Sequence, residues 1–530
     1  MYAPAPAAPD GQRYPAVVVG GGLVGLTLAL DLAQRRVPVV VLDDDTAVST
    51  GSRAICVAQR TLEIFDRLGL GSRMLAKGIT WSTGRVFARD QEIFRFDLAP
   101  EANTQFPAFI NLQQYYVEAY LVEACLEAGV DIRWGQRVTA VDSQPGGATV
   151  TIAAQDRPYS LHADWLLACD GARSFVRGSM GLPFVGRVFR DRFLIADVRM
   201  QAAFPTERWF WFDPPFHPNQ SALLHRQPDD IWRIDLQLGW DADPEIERDP
   251  DRVRARVQAM LGPDVPFELE WVSIYTFRCR RLERFVHGRV VFVGDSAHQV
   301  SPFGARGGNG GVQDADNLAW KLAAVLGGAA PSLIGTYDDE RIRAADENIL
   351  HSTRATDFIT PKTAAARAYR DAVLSLAATH PFARAMVNSG RLSRPCRLAL
   401  GGDSDAWAGV RPGDPAIDCP VGDGWLLQRV GRSFTLLAFG SDIGPVPGVT
   451  VVTLPATGLV AQRYGAPPGG CVLLRPDQHV LATFTHHDPT RIQAAIAACL
   501  HAAPAPGRPA PVRAAPGRAA PGRAAWERAA

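Results

Sequence analysis

The chain has 530 residues, too many for one hydrophobic core, so two or three domains are expected. Hydrophobic residues make up 47% and charged residues 21%, a balance that argues against disordered and fibrous classes. The formal net charge is zero, which offers no overall field for nucleic acid or an anionic membrane, and no apolar run is long enough to span a bilayer. The Ala- and Pro-rich start, Met1 to Asp10, lacks the basic end and apolar stretch of a secretory signal, so the expected location is the cytoplasm. The eight cysteines are scattered with no C-x-x-C pair, which predicts neither a metal site nor a disulfide framework.

In chain order, residues 16–19 form a short apolar run ending in glycines. Residues 22–34 read as a helix with Leu23, Leu26, Leu30 and Ala33 on one face, and residues 37–42 as a β-branched buried strand. This strand–helix–strand unit predicts an α/β fold with a doubly wound, Rossmann-like sheet. A second strand signal at 165–169 ends in Asp170-Gly171. A third at 289–293 ends in Gly294-Asp295, followed by a glycine-rich loop and a helix from about 313 to 326 with an apolar face of Ala315, Leu318, Ala319, Leu322, Ala323 and Leu326. Between these signals, residues 208–212, 222–224 and 232–236 look like antiparallel strands. Trp209 and Trp211 share one strand face, and Phe210 and Phe212 the other. The lobe offers Arg190, Arg192, His225, Arg226, Gln227 and Arg233 as polar candidates for substrate contact, but spacing does not say which point inward. The pattern from 342 to about 400 is helical. Residues 409–502 form a further α/β segment with strands at 434–439 and 471–474, and the tail 503–530 has a composition that cannot build a core.

The first chemical motif is Gly20-x-Gly22-x-x-Gly25 between a strand and a helix. Its glycines permit a tight turn, close approach of a pyrophosphate, and close helix–strand packing, and the helix N-terminus stabilises the phosphates. Asp43 stands about 23 residues after Gly20, where an acid binds a ribose hydroxyl. The other two strand ends distinguish FAD from NAD. They carry Asp170-Gly171-Ala172-Arg173-Ser174 and Gly294-Asp295-Ser296-Ala297-His298, the latter followed by the loop from Ser301 to Gly311. A carboxylate at a strand end can accept hydrogen bonds from a ribityl chain. Backbone N–H groups of a glycine-rich helix start can meet the pyrimidine edge of a flavin, where negative charge builds on reduction. His298 is read as a hydrogen-bonded structural residue of its turn rather than a base.

Together these three motifs resemble the flavoprotein aromatic hydroxylases of the p-hydroxybenzoate hydroxylase type, most of all the 3-(3-hydroxyphenyl)propionate hydroxylase-like branch, over residues 15–400. The resemblance implies an FAD-binding domain (14–83 with 105–180 and 285–350) with an inserted antiparallel-sheet substrate domain (84–104 with 181–284). A helical connector (351–408) and a thioredoxin-like C-terminal domain (409–502) would follow. Matching positions imply that Gly20, Gly22 and Gly25 hold the pyrophosphate, Asp43 the ribose, and Asp295 the ribityl chain. Arg53 would contact the flavin, Gln114 would help seat FAD, and Asp170 and Arg173 would belong to a motif serving both FAD and NAD(P)H. Gly307, Gly308 and Asn309 would lie under the isoalloxazine. Pro302 and Arg306 are the candidates on the reacting side of the ring, Arg306 as a cation for the reduced flavin.

The activity implied is hydroxylation of a phenolic aromatic by FAD, NADH or NADPH, and O2 through a flavin hydroperoxide, by a protein free to form a homodimer. The alternatives are a same-fold oxygenase of a polycyclic substrate, acting by hydroxylation or Baeyer–Villiger insertion, and a non-catalytic flavin-binding interaction protein.

Overall fold

The computed structural model describes residues 1–51, 53–98, 103–202, 204–387, 392–440 and 442–502. The tail from 503, expected to be disordered, lies outside them. The central sheet is built from five parallel strands in the order Val290–Phe292, Pro158–Ala168, Gln12–Val19, Val39–Leu42 and Asp131–Arg133. The chain leaves the Gln12–Val19 strand in one direction and later returns on its other side. That reversal opens a crevice at the carboxyl ends of the strands. Val19 pairs with both Ala168 and Leu42, and Ala168 with Phe292, so the segments after all four strands emerge along one edge.

Two strands begin well before their sequence signals, at Gln12 and Pro158. The first half of Pro158–Ala168 alternates in burial because it pairs with the hairpin strand Gly147–Ala153; only its second half is continuously buried and reads as an apolar run. The helix Leu23–Gln34 matches its expected span. The helix expected from about 313 instead runs Gly307–Leu326, two turns longer. Its first turns are mostly glycine, the poorest helix former after proline, so propensity hides them. Tertiary packing accounts for them.

The lobe is an eight-stranded sheet in the order His298–Gln299, Glu268–Leu282, Phe184–Arg199, Ile231–Leu238, Ser221–Arg226, Arg208–Phe212, Thr83–Ala88 and Gln91–Asp97. Its pairs are antiparallel except Arg208–Phe212 with Thr83–Ala88. One face packs Leu194, Ala196, Leu224, Trp232 and Ile234 against Val253 and Val257 of the helix Pro250–Leu261. Trp209 and Trp211 belong to that side. Phe210 and Phe212 point the other way, toward Phe303, Ile359 and Leu374.

The helical expectation for 342–400 needs correction. The helices are Leu333–Ile359, Ala364–Ala377 and Pro381–Val387, and residues 392–400 are irregular. Pro395 lacks the N–H a helix would need there. The expected boundary at 350/351 also falls inside one continuous helix, Leu333–Ile359.

The C-terminal segment forms a mixed four-stranded sheet in the order Val449–Leu454, Phe434–Phe439, Cys471–Leu474 and Val480–Phe484, with only the first pair parallel. Trp320 from the Gly307–Leu326 helix packs among Phe434, Leu436 and Ile492. Beside this contact lies a buried ionic network. Arg475 donates to both oxygens of Glu340, at 2.8 and 2.9 Å, and pairs with Asp477. Lys321 sits 2.9 Å from Glu340, and Asn317 donates to Glu340 and Asp477. Two cations facing Glu340 hold its carboxyl down at about 2 despite burial. Removing one partner of such a buried network leaves a charge without compensation, which costs about 3–5 kcal/mol. Arg475→Met should therefore lower the denaturant midpoint strongly. A midpoint within error of the parent in guanidinium titration would contradict the anchoring role.

Candidate functional site

Each chemical motif sits at the crevice edge of the central sheet. After Val19 the chain turns through Gly20, whose φ is +106°. A Cβ there would stand 2.5 Å from the Cys169 carbonyl oxygen, and one on Gly25 would stand 2.0 Å from that of Gly20. Both positions are closed to any side chain. Gly22 is different: the nearest atom to a Cβ would be Glu118 Oε1 at 3.6 Å, so its lack of a side chain leaves open space rather than relieving a contact. The helix that follows begins at Leu23. Its Leu23 N–H donates to Glu118 and its Leu26 N–H to the Gly22 carbonyl, leaving those of Val24 and Gly25 without an intrahelical acceptor.

Asp43 follows the next strand and accepts from the backbone N–H groups of Gly21 and Asp45. Burial, with Asp44 and Asp45 beside it, raises its carboxyl from 3.8 to about 6. Asp170 accepts from Val176 N–H at 2.9 Å through one oxygen. Its other oxygen is buried with no partner among the described residues. Burial pushes the Asp295 carboxyl upward as well, and no side-chain hydrogen bond to it is found among the described residues. Two acids at adjacent strand ends are thus left with acceptor capacity.

The loop after Asp295 leads into Gly307 and Gly308. A Cβ on Gly308 would meet Leu23 at 3.1 Å, and one on Gly311 would meet Val24 at 2.5 Å. The start of this helix therefore lies against the start of the fingerprint helix. Asn309 is buried and its side chain is fully occupied. It accepts from Ala58 N–H and the Thr61 hydroxyl, and donates to the Cys56 and Ala305 carbonyls. Only its backbone is left for a flavin, and its amide acts as a clamp between two loops.

Gln114, the first residue of its helix, accepts from Ala54 N–H at 3.0 Å and donates to Glu118 at 2.7 Å. Glu118 also accepts from Ser49 N–H at 2.7 Å. Glu118 escaped the sequence reading, although it lies four residues beyond Gln114 on the same helix face. Arg53 is exposed and gives its carbonyl to Arg233. Arg173 is exposed, and the bridging at that turn is done by Arg177, which donates to the Ser296 and Ala172 carbonyls and so ties the second strand end to the third. Pro302 is exposed beside the loop. Arg306 is buried and turned back: its guanidinium lies over Gly304 and donates to the Phe303 carbonyl at 3.0 Å. His298 bonds Asp314 at 2.7 Å, and Asp314 also pairs with Arg341, which is the structural role expected for it.

Residues 13–352 match the family described as FAD binding domain. The chain belongs to this family of FAD-binding monooxygenases. A 6-methylpretetramide 4-monooxygenase of Streptomyces rimosus is 33% identical over 94% of this chain and 96% of its own length. A 3-(3-hydroxy-phenyl)propionate/3-hydroxycinnamic acid hydroxylase of Mycolicibacterium smegmatis is 28% identical over 78% and 72%. The structure of the flavin-dependent monooxygenase PieE in complex with FAD and substrate superposes with a TM-score of 0.78 at 25% identity, covering 93% of this chain and all of that one. The chain is an FAD-dependent monooxygenase, and its family typically uses NAD(P)H. With relatives of both kinds at comparable identity, the assignment stays at the family and does not descend to the phenylpropionate branch. No helix among the described residues is long and apolar enough to cross a membrane.

The two closed and one open glycine should separate folding from binding. Gly25→Ala should lower the melting temperature of the FAD-free protein. Gly22→Ala should leave that melt unchanged while reducing retained flavin. Equal melts for the two variants would refute the distinction. Asp43 supplies a pH test. With its folded value raised to about 6, the folded FAD-free chain holds a proton that the unfolded chain has lost, so stability rises as pH falls from about 6 toward 3.8. Ribose hydroxyls donating to Asp43 would favour the carboxylate and expel that proton. FAD affinity should then climb with pH through about 6, and Asp43→Asn should flatten the profile in calorimetric titrations.

Proposed function

We propose that this monooxygenase hydroxylates a phenolic aromatic ring. The observation that carries the reading is the buried aromatic cluster at the seam between the flavin loop and the lobe sheet. Phe303, three residues before Arg306, packs at ring-centroid distances of 5.2–5.4 Å against Phe193 and Phe277 of the lobe sheet, with Leu223 and Phe210 beside them. Aromatic packing at this seam keeps water out of the space between the loop and the lobe, where a flat ring would be held.

Bound FAD, reduced by NAD(P)H, would supply the activation of O2, one atom of which goes to the substrate and the other to water. The chain's own part is placement. Gly20, Gly22 and Gly25 with the Leu23–Gln34 helix N-terminus would hold the pyrophosphate, and Asp43 a ribose hydroxyl. Asp295 would hold the ribityl chain, and the backbone of Gly307, Gly308 and Asn309 the pyrimidine edge. Gln114 would act through the loop it fastens at Ala54, and Arg53, exposed at that loop, from the flank. The C-terminal sheet, which we read as a thioredoxin-like appendage, would serve as a structural buttress: Cys419 and Cys471 are buried, free thiols. Relatives named for a 3-hydroxy-phenyl substrate support the phenolic reading.

The test is oxidation of NADH and NADPH by FAD-loaded protein with simple phenols, 3-(3-hydroxyphenyl)propionate and 6-methylpretetramide. At least one should accelerate oxidation about tenfold or more and yield a product carrying one atom from labelled O2. Acceleration with hydrogen peroxide as the sole product, or none across the panel, would sink the reading.

A further inference from the structure

The lobe face turned toward the flavin loop carries two kinds of polar side chain. One kind is engaged with its neighbours: Arg233 pairs with Asp197 at 3.0 Å, and Gln227 donates to the same carboxylate at 3.2 Å, its Oε1 remaining without a partner among the described residues. The other kind comprises Arg208, His225 and Asp235. Strand alternation puts all three on this face, because Trp209, Leu224, Ile234 and Leu236 point into the opposite core. Register makes them neighbours. His225 lies opposite Arg233, Asp235 opposite Leu223, and Arg208, one residue before the Trp209–Leu224 pair, beside His225.

None of the three makes a side-chain hydrogen bond or ion pair among the described residues. His225 is 3% exposed with its Nδ1 buried and unpartnered, and Asp235 Oδ1 is likewise buried and unpartnered. A buried polar atom without a partner is costly unless something completes it. The position fits a substrate. Cys56, on the strand that Asn309 clamps, faces Arg208, Arg233 and Asp235, and Arg233 reaches the Arg53 carbonyl. Leu223 and Phe210, next along this face, belong to the buried aromatic cluster that includes Phe303.

We propose that Arg208 and Asp235, with His225 beside them, bind the ionisable ring hydroxyl of the substrate. This rests on the phenolic reading above and names the residues that would enforce it. The Asp235 carboxylate takes the hydroxyl proton: the substrate O–H bond breaks and a carboxyl O–H forms. The Arg208 guanidinium, until then facing Asp235, faces the phenolate instead, so the charge of the site is conserved. Burial sets Asp235 up for this exchange by holding its carboxyl at about 6, against the pull of Arg233 and Arg208 and with the push of Asp197. The same burial and both arginines press His225 well below its ordinary value, so it serves as a neutral hydrogen-bonding partner. The other titratable groups nearby stay uncharged: burial pushes up the Cys56 thiol, the Tyr115 hydroxyl beside Asp197 and the Tyr275 hydroxyl beside Arg53. A phenolate is the electron-rich form of the ring that an electrophilic oxygen attacks.

The test uses FAD-saturated protein and two probe pairs: 1-hydroxyanthraquinone with 1-methoxyanthraquinone, and 1-naphthol with 1-methoxynaphthalene. Binding is followed by the flavin spectrum, and ionisation of bound hydroxyanthraquinone by its red-shifted phenolate band against pH. At least one phenol should bind about tenfold tighter than its ether, and bound hydroxyanthraquinone should ionise at lower pH than the free dye. Arg208→Gln should abolish that acidification, and Arg208→Lys should restore part of it. Asp235→Asn should bring phenol binding down toward the ether's while leaving the ether's binding and the flavin content unchanged. Equal binding of phenol and ether, no binding of either pair, or variants that weaken both members alike would overturn the assignment. No turnover is needed, so a missing hydroxylated product with the phenolate shift intact would overturn the proposed function alone.

Discussion

The structure depends on one close approach, that of two helix N-termini at a single sheet edge. Leu23 and Val24, at the start of the fingerprint helix, lie against Gly308, Gly311 and Gly294, and side chains at these glycines would stand 2.5–3.1 Å from them. Without those glycines the helices would be held apart by the width of a side chain, and their positive ends would no longer serve one extended anionic ligand. The parallel sheet makes the approach possible by delivering Gly20, Asp43, Asp170 and Asp295 to the same edge. The rest of the site holds this arrangement in place.

What holds it is a set of polar side chains that are fully used. Asn309 spends all of its amide on two loops. Glu118 accepts from Leu23, Ser49 and Gln114, joining the fingerprint helix to the loop above it. Arg177 joins the second and third strand ends, and Asp314 joins Gly294, His298 and Arg341. Fully satisfied networks of this sort fix geometry. Against that background, the buried atoms left without partners among the described residues include Asp170 Oδ1 at the sheet edge, and His225 Nδ1, Gln227 Oε1 and Asp235 Oδ1 on the lobe. Those on the acids and on the lobe face have acceptor or donor capacity that a bound ligand would complete.

This difference also explains how far the sequence could be read. The fingerprint was legible because a positive φ at Gly20 and a 2.0 Å clearance at Gly25 leave no other residue possible. The acids at the strand ends were legible because the parallel topology fixes where strands end. The arginines were not, because a long side chain chooses its partner in three dimensions. Arg173 and Arg177 are equally plausible on paper, yet only Arg177 finds two carbonyls to bridge. Arg306 turns back over Gly304, a path that requires a neighbour without a side chain. On the lobe, alternation assigns His225, Arg233 and Asp235 to one face, but it does not show which face meets the flavin loop.

The polar lobe face and the helix starts obey opposite electrostatic rules. At the helix starts, fixed dipoles and open N–H groups favour negative charge, and the acids there, Asp43 and Asp295, are held uneasily, with burial pushing both carboxyls up. Such acids are relieved by hydroxyl donors. On the lobe, two guanidiniums face two carboxylates, and only the Asp197–Arg233 half is closed by hydrogen bonds. The open half, Arg208 and Asp235, can exchange its partner for a ligand oxygen without burying a new net charge, the condition under which charged groups in a dry site remain affordable. A cofactor rich in hydroxyls and phosphates suits the first environment, and an acidic aromatic suits the second. Phe210, Leu223 and Phe303 pack in one cluster on the lobe face that carries Arg208 and Asp235.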